Sequence, residues 1–192
     1  MGSRMASRLI QAGFQVAVWN RTASACEELI DIGAHALDLS NIGQYPLILT
    51  CLADDKAVQA VFDQIQTNLK AGQVIVDFSS LSVAATKALA QAAASQDVIW
   101  IDSPVSGGTA GAEQGTLVIF AGGDAQTIEA LSPLYNVLSQ RVTRMGDTGT
   151  GQATKICNQL IVAANSALIA EAVALADRAG VDTTLLAPEI GR

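Results

Sequence analysis

Three polar side chains could carry chemistry within a long apolar stretch, from Thr148 to Val181. Lys155 and Asn158 are three residues apart and Asn165 lies seven further on, so a helix would place all three on one face. Burial disfavours a charged amine, so a lysine among apolar neighbours has a lowered pKa and can exchange protons. Asn158 can donate and accept hydrogen bonds, and so can orient an amine or a carbonyl. The alternative is a lysine that extends to solvent beside a helix-capping amide.

The other residue types leave few options for a catalytic base. The chain has one histidine, His35, and no motif around it supports Ser-His or Cys-His nucleophilic catalysis. Cys26, Cys51 and Cys157 are scattered and lie mostly in apolar runs, which does not fit a zinc site and indicates buried thiols in a reducing compartment. We therefore expect no metal site, and a base that is a lysine or a carboxylate.

The overall composition excludes several classes of partner. Half of the 192 residues are apolar and the net charge is -7, with no run of Lys or Arg that could follow a phosphate backbone. Nucleic acid is therefore not an expected partner. No segment has 18 uninterrupted apolar residues and the amino terminus lacks a signal-peptide pattern, so we expect no membrane association and a cytoplasmic protein.

Short apolar strands alternate with helices along most of the chain, which predicts an α/β protein with a mostly parallel sheet wrapped by helices. The long apolar helix is expected to be largely buried. The predicted strands are residues 14–19, 47–52, 74–77, 98–102, 117–121 and 141–145. The predicted helices are residues 1–13, 23–32, 54–69, an alanine-rich segment after Ser82 that ends at Ser95, and residues 125–139 and 152–179.

Three polar or glycine-rich segments follow predicted strands, where the ligands of such sheets bind. They are Asn20-Arg21-Thr22, Ser79-Ser80, and the segment from Asp102 to Gly115. In the last one, glycines allow close backbone approach, consecutive N–H groups can bind an anion, and Ser106 adds a hydroxyl. An ordinary glycine-rich turn before a strand is the alternative for this segment.

Three motifs together resemble the β-hydroxyacid dehydrogenase family, which includes 3-hydroxyisobutyrate dehydrogenase, 2-hydroxy-3-oxopropionate (tartronate semialdehyde) reductase and 6-phosphogluconate dehydrogenase. In chain order they are VIVDFSS, DSPVSGGTAGAEQGTL and GTGQATKICNQ. Their order and spacing match the family, and the resemblance covers nearly the whole chain. It implies a Rossmann-like cofactor domain, a long connecting helix and a mostly helical second domain, here at residues 1–147 and 148–192.

The resemblance also implies roles for individual residues. Lys155 would be the general acid/base at the substrate oxygen, and Asn158 would position the substrate and Lys155. A substrate carboxylate would be held by Ser106, Gly107 and Gly108. Ser80, where the family usually has Thr, would lie near both nicotinamide and substrate. The residues expected to contact the cofactor are Met1, Gly2, Asn20, Arg21, Thr22, Leu52, Ala53 and Ser80.

Both ends of the chain depart from the family pattern. Only the tail of the glycine-rich fingerprint remains, as Met1-Gly2 with Met5 in the matching place, and the strand before it is absent. A sheet without that strand would lack a central member and part of the pyrophosphate cradle. Arg192 comes before most of the helical domain. We therefore expect a chain truncated at both ends, which puts its turnover on its own in doubt.

The strand end at Asn20-Arg21-Thr22 bears on the choice of cofactor. NAD-selective folds usually have Asp or Glu there, whereas Arg21 suits a 2′-phosphate, which favours NADP over NAD. Alternatively, Arg21 stacks on adenine and tolerates either cofactor.

The expected function is NAD(P)-dependent interconversion of a small 3-hydroxy acid and its semialdehyde, as in 3-hydroxyisobutyrate dehydrogenases. A 2-hydroxy-3-oxopropionate reductase is the first alternative, and a catalytically silent binding or scaffold protein is an alternative of another class. The 6-phosphogluconate branch fits less well because Cys157 stands where that branch has histidine. Imine-reducing relatives generally replace the lysine. A homo-oligomer, dimer or tetramer, is expected to bury the apolar helix.

Overall fold

A computed structural model describes residues 1–186 of the chain. The molecule divides into two compact units, Met1–Lys155 and Ile156–Arg192, and one helix, Thr150–Arg178, continues from the first unit into the second. The domain boundary predicted between residues 147 and 148 stays a prediction.

Helices and strands alternate in the first unit as the sequence predicts. The strands are β1 (Ala17–Val18), β2 (His35–Ala36), β3 (Leu47–Thr50), β4 (Val74–Asp77), β5 (Ile99–Asp102), β6 (Val105–Ser106), β7 (Leu117–Gly122) and β8 (Ser139–Gly146). The α-helices are α1 (Gly2–Gln11), α2 (Glu27–Asp31), α3 (Asp55–Ile65), α4 (Val83–Ala94), α5 (Gly108–Gln114), α6 (Ala125–Ala130), α7 (Ser132–Leu138) and α8 (Thr150–Arg178). Four 3₁₀ helices, Ala23–Cys26, Leu39–Gln44, Gln66–Asn68 and Thr183–Leu185, complete the described elements.

The main sheet has six strands and is mixed, with three of its five strand pairs parallel. Its order is β3-β4-β5-β7-β6, with β8 paired to β7. The pairs β3–β4, β4–β5 and β7–β8 are parallel, whereas β7 runs antiparallel to both β5 and β6. Because β7 is antiparallel to both β5 and β6, β6 runs in the same direction as β5, and the chain reverses after β6. Residues 107–116, which include α5, connect β6 to β7, and this connection is shorter than the crossover of about a dozen or more residues that parallel strands need. The α/β class is as predicted.

A separate two-stranded sheet is formed by β1 and β2, which pair in parallel. Among the described residues no strand joins β1 to β3, in line with the expected absence of a central strand. A cleft of about 420 Å³ lies between β1 and β3 and is lined by residues of both. The predicted strand at residues 14–19 is therefore reduced to Ala17–Val18, because only β2 pairs with it and a strand is maintained by its partners.

Each face of the main sheet is covered by its own hydrophobic cluster. On one face, α1 and α7 contribute Met5, Leu9, Leu134 and Leu138 around Ile101 of β5. The other face holds Val58 and Phe62 of α3 and Leu89 of α4, packed around Ile75 and Trp100. Because side chains of a strand alternate between faces, β4 and β5 supply both clusters, which explains their continuous apolar sequences.

Two regions differ locally from the sequence-based expectation. The glycine-rich segment from Asp102 to Gly115, for which no helix was predicted, contains β6 and the helix α5. The single helix predicted over residues 125–139 is two helices separated at Leu131, with Pro133 in the first turn of the second. Proline is favoured in a first turn because it has no N–H to donate, and it cannot continue a preceding helix.

The helix α8 was predicted to be largely buried, and in this structure the prediction is wrong. Only Gly151 and Gln152 are buried, while Leu160 and Leu168 are 70% and 67% exposed. Beside α8, the described part of the second unit contains only the 3₁₀ helix Thr183–Leu185, which cannot cover 29 helical residues. By length and mean hydropathy α8 could also cross a membrane, a test that core helices of soluble proteins pass as well.

Candidate active site

The carboxyl ends of three parallel strands lie side by side in the first unit. Thr50 of β3 is in register with Asp77 of β4, and Asp77 is in register with Asp102 of β5. The segments that follow these residues therefore begin at one edge of the sheet, the edge where ligands bind in open α/β folds. All three segments contain predicted site residues: Leu52 after β3, Ser80 after β4 and Ser106 after β5.

Asp77 connects β3 to β4 at this edge. Its Oδ1 atom accepts hydrogen bonds from the Thr50 hydroxyl at 2.8 Å and from the Ser79 amide at 3.0 Å. Its Oδ2 atom is buried and has no partner among the described residues. Burial raises the pKa of the Asp77 carboxyl, and the hydrogen bonds from Ser79 and Thr50 oppose that rise. The Ser79 hydroxyl in turn accepts a hydrogen bond from the Leu52 amide at 2.9 Å, which holds the predicted cofactor loop against the end of β4.

Asp102 connects β5 to the amino terminus of α8. Its carboxylate accepts hydrogen bonds from the Gly149 amide at 2.7 Å and the Gln152 amide at 3.0 Å. Burial raises the pKa of this carboxyl, and those two hydrogen bonds act in the opposite direction. A Cβ at Gly122 would lie 2.6 Å from one carboxylate oxygen, and a Cβ at Gly151 would lie 2.8 Å from the other. Both positions therefore require glycine: Gly151 lets α8 approach β5, and Gly122 lets β7 pair with β5 beside the Asp102 carboxylate.

Gln152 binds α8 to the segment after β4. Its side chain is fully buried, with 1% of the residue exposed. The Oε1 atom accepts a hydrogen bond from the Leu81 amide at 3.0 Å, and the Nε2 atom donates to the Ser79 carbonyl at 2.8 Å. The backbone groups that form these two bonds belong to Ser79 and Leu81, which flank Ser80. Ser80 itself is exposed at this edge of the sheet. Ser80 is thus held in a fixed segment beside the first turn of α8.

Lys155 lies three residues after Gln152 on α8 and is half-buried. Burial lowers the pKa of its amine, as the sequence predicts for a lysine among apolar neighbours. Within residues 1–186 its ammonium has no hydrogen bond or salt bridge. Asn158 belongs to the second unit, where its amide donates to the Gln159 side chain at 3.2 Å. The catalytic roles of both residues stay predictions.

The glycine-rich segment has the backbone that its sequence requires. Ser106 ends β6 opposite Val118, and Gly107 and Gly108 follow with φ angles of 126° and 63°. Both angles lie in the region that favours glycine, and both glycines are exposed. None of these three residues is hydrogen-bonded to Lys155, so the predicted carboxylate site is not assembled by direct contact and stays a prediction.

The predicted cofactor residues are only partly brought together. Gly2 begins α1 beside β3, and a Cβ there would lie 3.3 Å from the Cβ of Cys51. The cleft of about 420 Å³ is lined by Gly2, Asn20 and Leu52, among others. The remaining predicted residues do not line it: Met1 packs against the hydrophobic cluster, Arg21, Ala53 and Ser80 are exposed, and the Thr22 amide donates to the Asn20 side chain.

These residues fit a phosphate-bearing cofactor through the amino terminus of α1. The first hydrogen-bonded amides of that helix are those of Arg4 and Met5, which donate to the Met1 carbonyl. The first turn has no acidic residue and no side-chain cap, so its positive end can receive a phosphate group. Gly2 allows the close approach of helix and strand at that point.

Sequence reasoning proposed Lys155 and Ser80 as site residues, which stays a prediction, and it did not propose Asp77, Asp102 or Gln152. A usable signal was present for the two aspartates, since the strands VIVD and IWID each end in an acidic residue at the same register. Gln152 gave a weaker signal, as an amide in a helix otherwise rich in apolar residues.

Comparison with known families gives two matches. Residues 1–146 match the family described as the NAD binding domain of 6-phosphogluconate dehydrogenase. Residues 149–190 match the one described as NAD-binding of NADP-dependent 3-hydroxyisobutyrate dehydrogenase.

Individual relatives agree with these matches. A probable 3-hydroxyisobutyrate dehydrogenase-like 1, mitochondrial, of Arabidopsis thaliana is 36% identical over 188 residues, which cover 95% of this chain and 56% of the relative. The 2-hydroxy-3-oxopropionate reductase of Escherichia coli (strain K12) is 35% identical over 187 residues, covering 95% of this chain and 64% of the relative. This chain therefore spans roughly three fifths of these relatives.

A solved structure supports the predicted Rossmann-like fold. The 3-hydroxyisobutyrate dehydrogenase of Mycobacterium tuberculosis with L-serine superposes with a TM-score of 0.90 at 27% identity, over 95% of this chain and 63% of that one. The predicted fold class is confirmed, and so is the expectation of a domain of the NAD(P)-binding type. The chain belongs to the β-hydroxyacid dehydrogenase family and carries an NAD-binding domain of the 6-phosphogluconate dehydrogenase type.

Proposed function

We propose that this protein is a NAD(P)-dependent oxidoreductase that interconverts a small 3-hydroxy acid and its semialdehyde. The observation that carries the proposal is the placement of Lys155. Its half-buried amine, whose pKa is lowered by burial, lies one helical turn beyond the point where Asp102 and Gln152 hold α8 at the ligand-binding edge of the sheet. An amine with a lowered pKa exchanges a proton with a substrate oxygen more readily than an ordinary lysine does, a task that histidine performs in many other enzymes.

Each proposed residue has one task in the reaction. In the oxidative direction, the Lys155 amine accepts the hydroxyl proton of the substrate as its C=O bond forms, and in the reductive direction the ammonium returns that proton. The bound nicotinamide cofactor would supply the hydride acceptor or donor. By resemblance, Asn158 orients the substrate oxygen, Ser106 with Gly107 and Gly108 binds the carboxylate, and Ser80 lies beside both reactants.

The cofactor proposal is NADP in preference to NAD. The exposed Arg21 directly follows Asn20, which lines the cleft, and a guanidinium can form two hydrogen bonds to a 2′-phosphate. The positive end of α1, at Gly2, would receive the pyrophosphate. Met1, Asn20, Thr22, Leu52 and Ala53 complete the proposed contacts.

The direct test is steady-state turnover with both cofactors. Purified protein is assayed for oxidation of 3-hydroxyisobutyrate and reduction of tartronate semialdehyde, and NADPH and NADH are titrated by fluorescence. We expect turnover with one of the two substrates, tighter binding of NADPH, and a loss of turnover of at least about a hundredfold in Lys155→Met. Lys56→Met, which removes an exposed lysine on α3, is the matched control and should keep full activity.

The outcomes separate this proposal from its alternatives. Preference for tartronate semialdehyde would assign the 2-hydroxy-3-oxopropionate reductase activity, as in the Escherichia coli relative. Tight NADPH binding with no turnover of either substrate would assign a silent binding protein, and absence of both would contradict the proposal. A Lys155→Met variant with full activity would remove the proposed acid/base.

Two further proposals concern the whole protein. The exposed apolar face of α8 in the second unit supports a homo-oligomer, a dimer or tetramer, because large apolar patches on soluble proteins mark interfaces. The unpaired cysteines, Cys26, Cys51 and Cys157, support a cytoplasmic location, since free thiols are typical of reducing compartments.

A further inference from the structure

We propose that Gln152 and Asp102 are positioning residues that fix the first turn of α8 on the ends of β4 and β5, and so set the direction and surroundings of the Lys155 amine. The inference rests on the proposed role of Lys155 in proton transfer. In this inference, two buried side chains hold Lys155 in place and do not contact the substrate themselves.

The first support acts on the side of the helix that faces β4. Gln152 uses both ends of its amide, accepting from the Leu81 amide at 3.0 Å and donating to the Ser79 carbonyl at 2.8 Å. A buried amide that bonds two backbone groups resists both rotation and sliding of the helix, because either movement breaks a hydrogen bond away from water. The partners are 71 and 73 residues away in sequence, so these bonds are tertiary contacts.

The second support acts on the helix terminus itself. The Asp102 carboxylate accepts from the amides of Gly149 and Gln152, one group before the helix and one in its first turn. A negative charge at the amino terminus also interacts favourably with the helix dipole. Gly151 between them carries no Cβ, and one would lie 2.8 Å from the carboxylate, so the helix is in contact with the strand end.

The position of Lys155 follows from these supports. A residue three positions along an α-helix lies about 4.5 Å further up the axis and about 60° around it. Any rotation or shift of the Gln152 turn is therefore transmitted almost unchanged to Lys155. With the turn fixed, the amine keeps a half-buried position in which desolvation favours its neutral form.

A purely structural role would predict only a loss of stability, and the chain offers a matched control. Gln73 is another buried glutamine that uses its whole amide on backbone groups, accepting from the Lys70 amide and donating to the carbonyls of Ile42 and Tyr45. It lies just before β4, whereas Ser79 lies just after that strand. Gln152→Met and Gln73→Met therefore remove the same group from the two opposite ends of β4.

The test measures the Lys155 amine directly. The lysines are converted to ¹³C-dimethyllysine and titrated by NMR; the sequence has Lys56, Lys70, Lys87 and Lys155, and a Lys155→Arg variant assigns the signal. In Gln152→Met and in Asp102→Asn we expect the Lys155 midpoint to rise towards the ordinary lysine value, because the amine becomes hydrated. In Gln73→Met the midpoint should stay at the wild-type value even though stability falls.

Three results would overturn the inference. One is an unchanged Lys155 midpoint in folded Gln152→Met or Asp102→Asn, and another is an equal change in Gln73→Met. The third needs no variant: in the wild-type protein the amides of Leu81, Gly149 and Gln152 must be among the slowest to exchange with D₂O, and exchange within minutes contradicts a rigid first turn. The NMR titration requires no turnover, so its failure is distinct from a failure of the proposed function. Where turnover is measured, the pH profile of kcat should move with the Lys155 midpoint.

Discussion

Two buried threonines provide a pair of substitutions with opposite predicted effects on stability. The Thr50 hydroxyl donates to the Asp77 carboxylate at 2.8 Å, and both groups are buried. Replacement by valine keeps the shape but removes one donor from a carboxylate that has few others. A hydrogen bond to a charged group contributes about 1.5–3 kcal/mol, so Thr50→Val should lower the free energy of unfolding by that amount.

Thr86, in α4, is the matched case without a bond. Its hydroxyl is buried and has no partner among the described residues, and the residue is completely inaccessible to solvent. Burying a hydroxyl without a hydrogen bond costs about 1–3 kcal/mol in proteins. Thr86→Val removes that cost and adds a buried methyl group, so it should raise the free energy of unfolding by about 1 kcal/mol or more.

Urea unfolding followed by tryptophan fluorescence measures both effects. For a slope near 2 kcal/mol/M, a loss of about 2 kcal/mol moves the midpoint down by about 1 M, and a gain of about 1 kcal/mol moves it up by about 0.5 M. The reasoning is refuted if both variants shift the midpoint in the same direction. In that case the shape of the side chain, and not hydrogen bonding, would determine the response.

The remaining predictions concern pH and assembly. Burial raises the pKa of Asp77 and Asp102, so their protonated forms favour the folded state; this contribution is complete below the unfolded value of 3.8 and is lost as pH rises through the folded pKa. The slope of the unfolding free energy with pH, from 3.8 upwards through the raised folded pKa, should therefore flatten in Asp77→Asn, and an unchanged slope would contradict the linkage. In light scattering, the protein should exceed the 19.8 kDa of one chain, and Leu168→Glu on the exposed face of α8 should lower that mass. A monomeric wild type, or recovery only with membranes, would contradict a homo-oligomer.

The buried strands could be predicted closely because their sequences are continuous apolar runs. Val74–Asp77 was predicted to the residue, and Ile99–Asp102 to within one residue. The run from Leu47 to Leu52 ends as a strand at Thr50, because the backbone then bonds a side chain: the Leu52 amide donates to the Ser79 hydroxyl. Hydrophobicity marks a buried strand, but a side chain 27 residues away determines where this one ends.

Burial of α8 could not be predicted from its own sequence. A run of alanine, leucine and isoleucine shows that a helix needs an apolar environment, but not whether its own unit provides one. In the second unit it does not, since Leu160, Leu168 and Leu175 are each about two thirds exposed or more. The prediction of burial within the described fold was thus wrong, and the prediction that an oligomer covers this apolar helix stays a proposal.

The candidate site shows the same distinction between residue type and partner. Lys155 could be selected as a candidate from sequence because burying an unpaired ammonium costs free energy whichever apolar residues surround it. Gln152 and Asp102 could not, because their contribution lies in bonds to Ser79, Leu81 and Gly149, and sequence spacing carries no record of those pairs. If the proposed reaction needs the Lys155 amine in one fixed place, the helix that carries it must be bonded to strand ends that are distant in sequence, as Gln152 and Asp102 bond α8 to the ends of β4 and β5. Positioning residues of this kind cannot be recognised from a single sequence, because their bonding partners are known only from the structure.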